Sequence, residues 1–190
     1  MKLLVMFPHG NTAAFLEKQR FALSEKTGDK IFAFSPLYCP LAFVPEKNFT
    51  AAQAKKLLTG LRDVITESTK NKTFAIDGTL QGKYGNVTAF FCTMTLPFLE
   101  VFYSWCQKEG FQPIKAKAHG FCVGFSYGTK AADGGFQEEI ALPEPHNMTV
   151  FQLGLIDFAP EAPFLRDAAE PLSFKWKLIN SVWKAKQKEA

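Results

Sequence analysis

The sequence predicts an α+β domain, and three observations carry the prediction. Thr50 to Glu67 places apolar residues at three-four spacing, the mark of an amphipathic helix, and Thr95 to Glu109 repeats the pattern. Short apolar or alternating segments of strand length stand before, between and after these helices. Several come in adjacent pairs rather than one per helix, which favours antiparallel sheets with helices alongside over a doubly wound parallel sheet.

The elements follow in order. Leu3 to Phe7 is a continuous apolar run ended by Pro8-His9-Gly10, as expected of a buried strand. Asn11 or Thr12 can cap a helix running to Thr27, with Gly28 just past its end. Ile31 to Phe34 and Tyr38 to Val44 read as extended, separated by Ser35-Pro36. Thr50 opens the clearest helix, with Ala54, Leu57, Leu58, Leu61, Val64 and Ile65 on one stripe. Thr73 to Leu80 and Asn86 to Thr93 suggest a hairpin turning through Gln81 to Gly85. Thr95 is an apt N-cap for a helix that buries Phe98, Leu99, Phe102, Trp105 and Cys106 and ends at Gly110. Strands are then expected at Gly120 to Tyr127, Phe136 to Leu142 after the turn at Asp133-Gly134-Gly135, and Thr149 to Phe158. Pro160 to Pro171 reads as loop.

Length and composition bound the rest. The 190 residues suit a single domain, 1–190, built as two lobes packed on one core, with a closing strand and short tail at 172–190. A 47% hydrophobic content with 20 phenylalanines supplies that core and argues against disorder. The net charge of +4 admits an anionic ligand but is too mild for a dedicated nucleic-acid binder. Cys39, Cys92, Cys106 and Cys122 lie in apolar runs without a C-x-x-C pair, so buried reduced thiols and a cytoplasmic location are expected. The Leu3 to Phe7 run is too short for a signal-peptide core, and no segment approaches a membrane span.

Two strand-like segments carry the functional argument: YCPLAFV (Tyr38 to Val44) and GFCVGFS (Gly120 to Ser126). Each alternates small or polar with bulky apolar residues, and each follows a helical stretch. In these strands and in its element order, the chain resembles the LigT-like, or 2′–5′ RNA ligase-like, superfamily of two-histidine phosphoesterases. There, each half of a pseudo-symmetric two-lobed fold carries one His-x-Thr/Ser motif on such a strand, and the two face each other across a groove. In that register Tyr38 and Pro40 occupy the first motif, and Gly120 and Cys122 the second. Leu41 to Val44 and Val123-Gly124 are similar to the strand residues that follow the family's motifs.

The resemblance implies a fold and argues against its usual chemistry. In the family one histidine is general base, the other general acid, and the Thr/Ser hydroxyls hold phosphate oxygens. That chemistry needs two groups titrating near neutrality. A phenol or a buried thiol does not, and proline and glycine offer no side-chain donor. The groove face would carry Tyr38, Pro40, Ala42, Gly120, Cys122 and Gly124, while Cys39, Leu41, Phe43, Phe121, Val123 and Phe125 would face the core. With Lys117 at the rim, beside Lys83, Lys115 and Lys130, the groove would bind a nucleotide, short RNA or other small anion, or a protein partner, without turnover. Tyr38 could stack on a base.

Two alternatives stand beside that reading. A one-residue shift would put His119 and Phe121 in the second motif, and His119 with His9 could then serve as displaced catalytic groups. The groove could also be filled by the protein's own side chains, leaving a structural or interaction protein. His146, expected in the Pro143-Glu144-Pro145 loop, suggests no ligand set, and neither a metal nor a cofactor is expected. The sequence leaves the oligomeric state open.

Overall fold

In a computed structural model that describes residues 2–28, 30–33, 37–45, 49–70, 74–84, 87–116, 118–126, 140–148, 151–161 and 173–183, the strands form two antiparallel five-stranded sheets. The first joins β1 (Lys2–Pro8), β3 (Cys39–Phe43), β6 (Gln112–Pro113), β9 (Phe151–Glu161) and β10 (Ser173–Trp183) in the order β10-β9-β1-β3-β6. The second joins β2 (Phe32–Ala33), β4 (Phe74–Tyr84), β5 (Val87–Met94), β7 (His119–Ser126) and β8 (Ile140–Met148) in the order β2-β7-β5-β4-β8. Three helices accompany them among the described residues: α1 (Asn11–Thr27), α2 (Ala51–Ser68) and α3 (Leu99–Glu109). The α+β class follows the sequence expectation.

The two sheets share one plan. The course β1, α1, β2, β3 is repeated by β5, α3, β6, β7, so the order β10-β9-β1-β3-β6 matches β8-β4-β5-β7-β2 strand for strand. The short edge strands are exchanged between the two courses. β6 pairs with β3 through Ala42↔Pro113 and Phe43↔Gln112, while β2 pairs with β7 through Gly124↔Ala33 and Phe125↔Phe32.

The correspondence extends to an irregularity. On β1, Leu4 pairs with Ala42 and Val5 with Pro40, leaving Leu41 as the extra residue of a bulge. On β5, Phe90 pairs with Gly124 and Phe91 with Cys122, leaving Val123 in the same position. Each bulge reverses the side-chain phase beyond it. Ala42 is therefore fully buried in the main core and Phe43 is 38% exposed, the opposite of their expected faces. Likewise Gly124 pairs with the core residue Phe90, and Phe125 lies opposite Ala89.

The main core collects both sheets and all three helices. It includes Leu4, Met6, Leu153 and Leu155 from the first sheet, Phe90, Cys92 and Phe121 from the second, and Leu16, Leu58, Leu61 and Phe102 from the helices. The other face of the first sheet bears a smaller cluster of Leu3, Val5, Tyr38 and Ile156, with Phe7 against it.

α2 starts as the sequence indicates. The Thr50 hydroxyl accepts from the Gln53 N–H at 3.2 Å, and Gln53 Oε1 accepts from the Thr50 N–H at 2.9 Å, a full capping box. The other two helix starts differ from expectation. The N-cap of α1 is Gly10 at φ 46°, not the side chain of Asn11 or Thr12. α3 starts after Phe98, later than a cap at Thr95 would place it. Gly28 and Gly110 end their helices in the left-handed region, as expected. β4 continues through the expected turn to Tyr84, which pairs with Val87. β9 runs to Glu161, past the start of the expected loop, and the two-residue β6 gave no periodic signal in the sequence. The turn at residues 133–135, the segment 162–171 and the tail from 184 lie outside the described residues.

Candidate functional site

The motif positions meet where the two sheets adjoin, along β3 and β7. Cross-strand partners share a face in an antiparallel ladder. Pro40 pairs with Val5, a member of the smaller cluster, so Pro40 and Tyr38 lie on the face away from the helices. Gly120 pairs with Thr93 and Cys122 with Phe91, on the face of the second sheet opposite its core residues Cys92 and Phe121. Tyr38, Pro40, Gly120 and Cys122 thus take the orientation the sequence suggests.

The site is closely packed and uncharged. Tyr38 is 7% exposed and Cys122 8%. Burial pushes the Tyr38 phenol well above its ordinary value, and the nearby Cys122 thiol pushes it further. Burial lifts Cys39 and Cys122 to about 12 each, against smaller opposing hydrogen bonds from the backbones of Gly120 and Gly124 respectively. Cys92 is also raised to about 12, by burial and then by Cys122. All three thiols and the phenol are neutral at pH 7, so none is an acid–base group there.

Gly120 has a steric reason to be glycine. A Cβ built on it would lie 2.5 Å from the Cys92 carbonyl oxygen and 3.1 Å from the Thr93 Cα, both backbone atoms. β7 therefore approaches β5 closely where the second motif begins.

The alternative catalytic groups lie elsewhere. His119 pairs with Met94, a residue of the main core, and so faces the helix side together with Phe121. This corrects the shifted register, which required both residues in the groove. The reason is the regular ladder from Met94↔His119 to Phe91↔Cys122, which fixes the phase before the Val123 bulge. His9 is exposed after β1, with its carbonyl accepting from the Thr12 N–H at 3.0 Å.

His146 is within β8 rather than in a loop, because the ladder Ala75↔Asn147 and Ile76↔His146 runs through it. Its ring stacks on Phe15 at 4.5 Å, and Nε2 is hydrogen-bonded to the Thr12 hydroxyl at 3.1 Å, which fastens α1 to the sheet. Of the rim lysines, Lys115 is exposed; Lys117, Lys130 and the Lys83 side chain lie outside what is described. Among the described residues no cluster of His, Cys, Asp and Glu could hold a metal, and no helix is long and apolar enough to cross a membrane.

A cleft lies on the second sheet, away from the motif positions. Asp77 and Gly78 of β4, Met94 of β5, Thr95, Leu96, Leu99 of α3, Ala118, His119 and Ala141 of β8 contribute to its volume of about 550 Å³. Sequence reasoning placed His119 as a catalytic alternative but missed this setting, since Asp77 and Thr95 bore no motif.

Comparison with protein-family models, with curated proteins and with solved structures gives no match to this chain.

Proposed function

We propose that this chain is a LigT-like, two-lobed domain that has kept the plan of a two-histidine phosphoesterase without its chemistry, and that it acts by binding. One observation carries the reading. β3 and β7 correspond in strand neighbours, edge partners and bulge position, yet their four motif positions are Tyr38, Pro40, Gly120 and Cys122. A phosphodiester held there would meet no group able to exchange a proton at pH 7. The ligand class is nucleotide-like or otherwise anionic, as the resemblance implies. The half-buried Phe7 and Phe91 and the exposed Phe43 add apolar surface beside the motif positions on the helix-free faces.

The test has two arms. Purified protein is incubated with a 2′,3′-cyclic nucleotide and with a 2′–5′ linked dinucleotide, and no product should form. The same compounds, mononucleotides and short RNAs are then screened by thermal shift. The expected result is a raised Tm that Pro40→Trp abolishes by filling the helix-free face. Metal-independent hydrolysis lost on His119→Ala or His9→Ala would replace this reading with the displaced-group phosphoesterase. The near-complete burial of Tyr38 favours a second reading, a filled groove in a structural or interaction protein. A screen without any shift would select it.

A further inference from the structure

The cleft bounded by β4, β5, β7 and α3 has a feature that packing alone leaves unexplained. His119 is 5% exposed, and its Nε2 atom is buried without a hydrogen-bond partner among the described residues. An unpaired buried polar atom costs about 1–3 kcal/mol, so such atoms are rare and mark strain, function or a missing partner. The residue carrying this one helps to form the cleft wall.

Among the described residues the cleft's polar side chains are Asp77, Thr95 and His119. Asp77 occupies the irregular position of β4, where the ladders to both β5 and β8 jump from Ile76 to Gly78. Its carboxylate accepts a long 3.5 Å hydrogen bond from the Thr95 hydroxyl, which leaves most of its acceptor capacity unused in that contact. The remaining lining is apolar or backbone: Met94, Leu96, Leu99, Ala116, Ala118 and Ala141, with Gly78. Among the described residues no basic side chain lines it.

We propose that this cleft is a binding site for a small apolar molecule bearing a primary ammonium group. The ammonium supplies three donors, enough for the Asp77 carboxylate, the Thr95 hydroxyl and, once the buried imidazole turns toward the cleft, an accepting His119 Nε2. The apolar body lies against Met94, Leu96 and Leu99. Burial lowers the His119 pKa, which keeps the imidazole neutral and able to accept at neutral pH. A volume of about 550 Å³ falls within the usual range for small-molecule sites. The site is separate from the β3–β7 seam, and the proposal does not depend on what binds there.

The probe is phenethylamine, compared with 3-phenylpropionate and 2-phenylethanol, read by NMR of the Met94 methyl and the His119 ring protons. Phenethylamine should shift both sets of signals saturably, the alcohol less, and the carboxylate not at all. Asp77→Asn, nearly the same shape without charge, should weaken the amine at least tenfold. Ala118→Leu should abolish binding by occupying the cleft, and its amide spectrum reports whether the fold is intact. No saturable shift with the amine in folded wild-type protein would overturn the proposal. So would equal binding of the carboxylate, or amine binding unchanged by Asp77→Asn.

Discussion

Leu41 on β3 and Val123 on β7 occupy equivalent places: each is the extra residue of a bulge, one position after the strand's second motif residue. The two are 82 residues apart in the chain. Each turns the rest of its strand over, which brings Phe43 and Phe125 to the helix-free side and sends Ala42 and Gly124 inward. A bulge bends its strand and increases local twist, so both sheets curve at matching points beside the seam.

The close approach at Gly120 predicts an asymmetric response to alanine. Gly120→Ala drives a methyl group into the Cys92 carbonyl and should cost about 1–3 kcal/mol, the usual range for overpacking. At Gly154 the obstacle is the Phe7 ring, a side chain that can rotate away, so Gly154→Ala should cost less. Urea midpoints at constant m-value measure both. Equal losses would mean that β7 can move off β5.

Four thiols raised to about 12, three of them at or beside the seam, predict an alkaline limb of stability. Cys39, Cys92 and Cys122 hold their protons in the folded protein at pH values where the unfolded chain loses them. Their contribution is intact below the unfolded thiol value of about 8.5 and is lost as pH rises from there toward 12. Each thiol withdraws up to about 1.4 kcal/mol per pH unit within that window. Cys122→Ala should flatten the limb. Native protein should also react slowly with a thiol reagent at pH 8 and take up four equivalents once denatured.

His119 predicts the acid limb. Burial holds its pKa below the ordinary value, so its contribution is complete above about 6.5 and falls as pH drops and the unfolded chain takes up the proton. His119→Gln should make stability less dependent on pH between about 7 and 5. An unchanged slope in urea titrations across that window would contradict the assignment.

Thr50→Ala removes one half of the capping box and should destabilise the protein by about 0.5–2 kcal/mol. Gln53→Ala should cost less, because the Thr50 hydroxyl still reaches the helix. Thermal midpoints of the two single variants and the double variant will show whether the halves act together.

What the sequence disclosed, and what it concealed, divides along local and non-local lines. The extents of α1 and α2 were legible because apolar spacing and the terminal residues Gly28 and Thr50 are local signals. The placing of Tyr38, Pro40, Gly120 and Cys122 on the helix-free faces was legible because alternation holds up to each bulge. Beyond Leu41 and Val123 the expected faces were reversed, since a bulge is a property of the partner strand's register and both residues are ordinary apolar strand formers. Thr12 and Thr95 looked like caps, but their hydroxyls go to His146 and Asp77, distant in sequence and invisible to local reasoning.

The pairing of β1 with β9 has a consequence for how the chain is made. Lys2 to Pro8 are synthesised well before the strand that covers one flank of them, since Phe151–Glu161 follows more than 140 residues later. Until then an apolar edge, Leu3 to Phe7, has open hydrogen-bonding groups along that side, the kind of surface that recruits stray strands. Such distant pairing slows folding and lengthens the exposure. Completion of β1 therefore waits on a strand more than 140 residues downstream, and a nascent chain halted before Phe151 would present that edge to its neighbours.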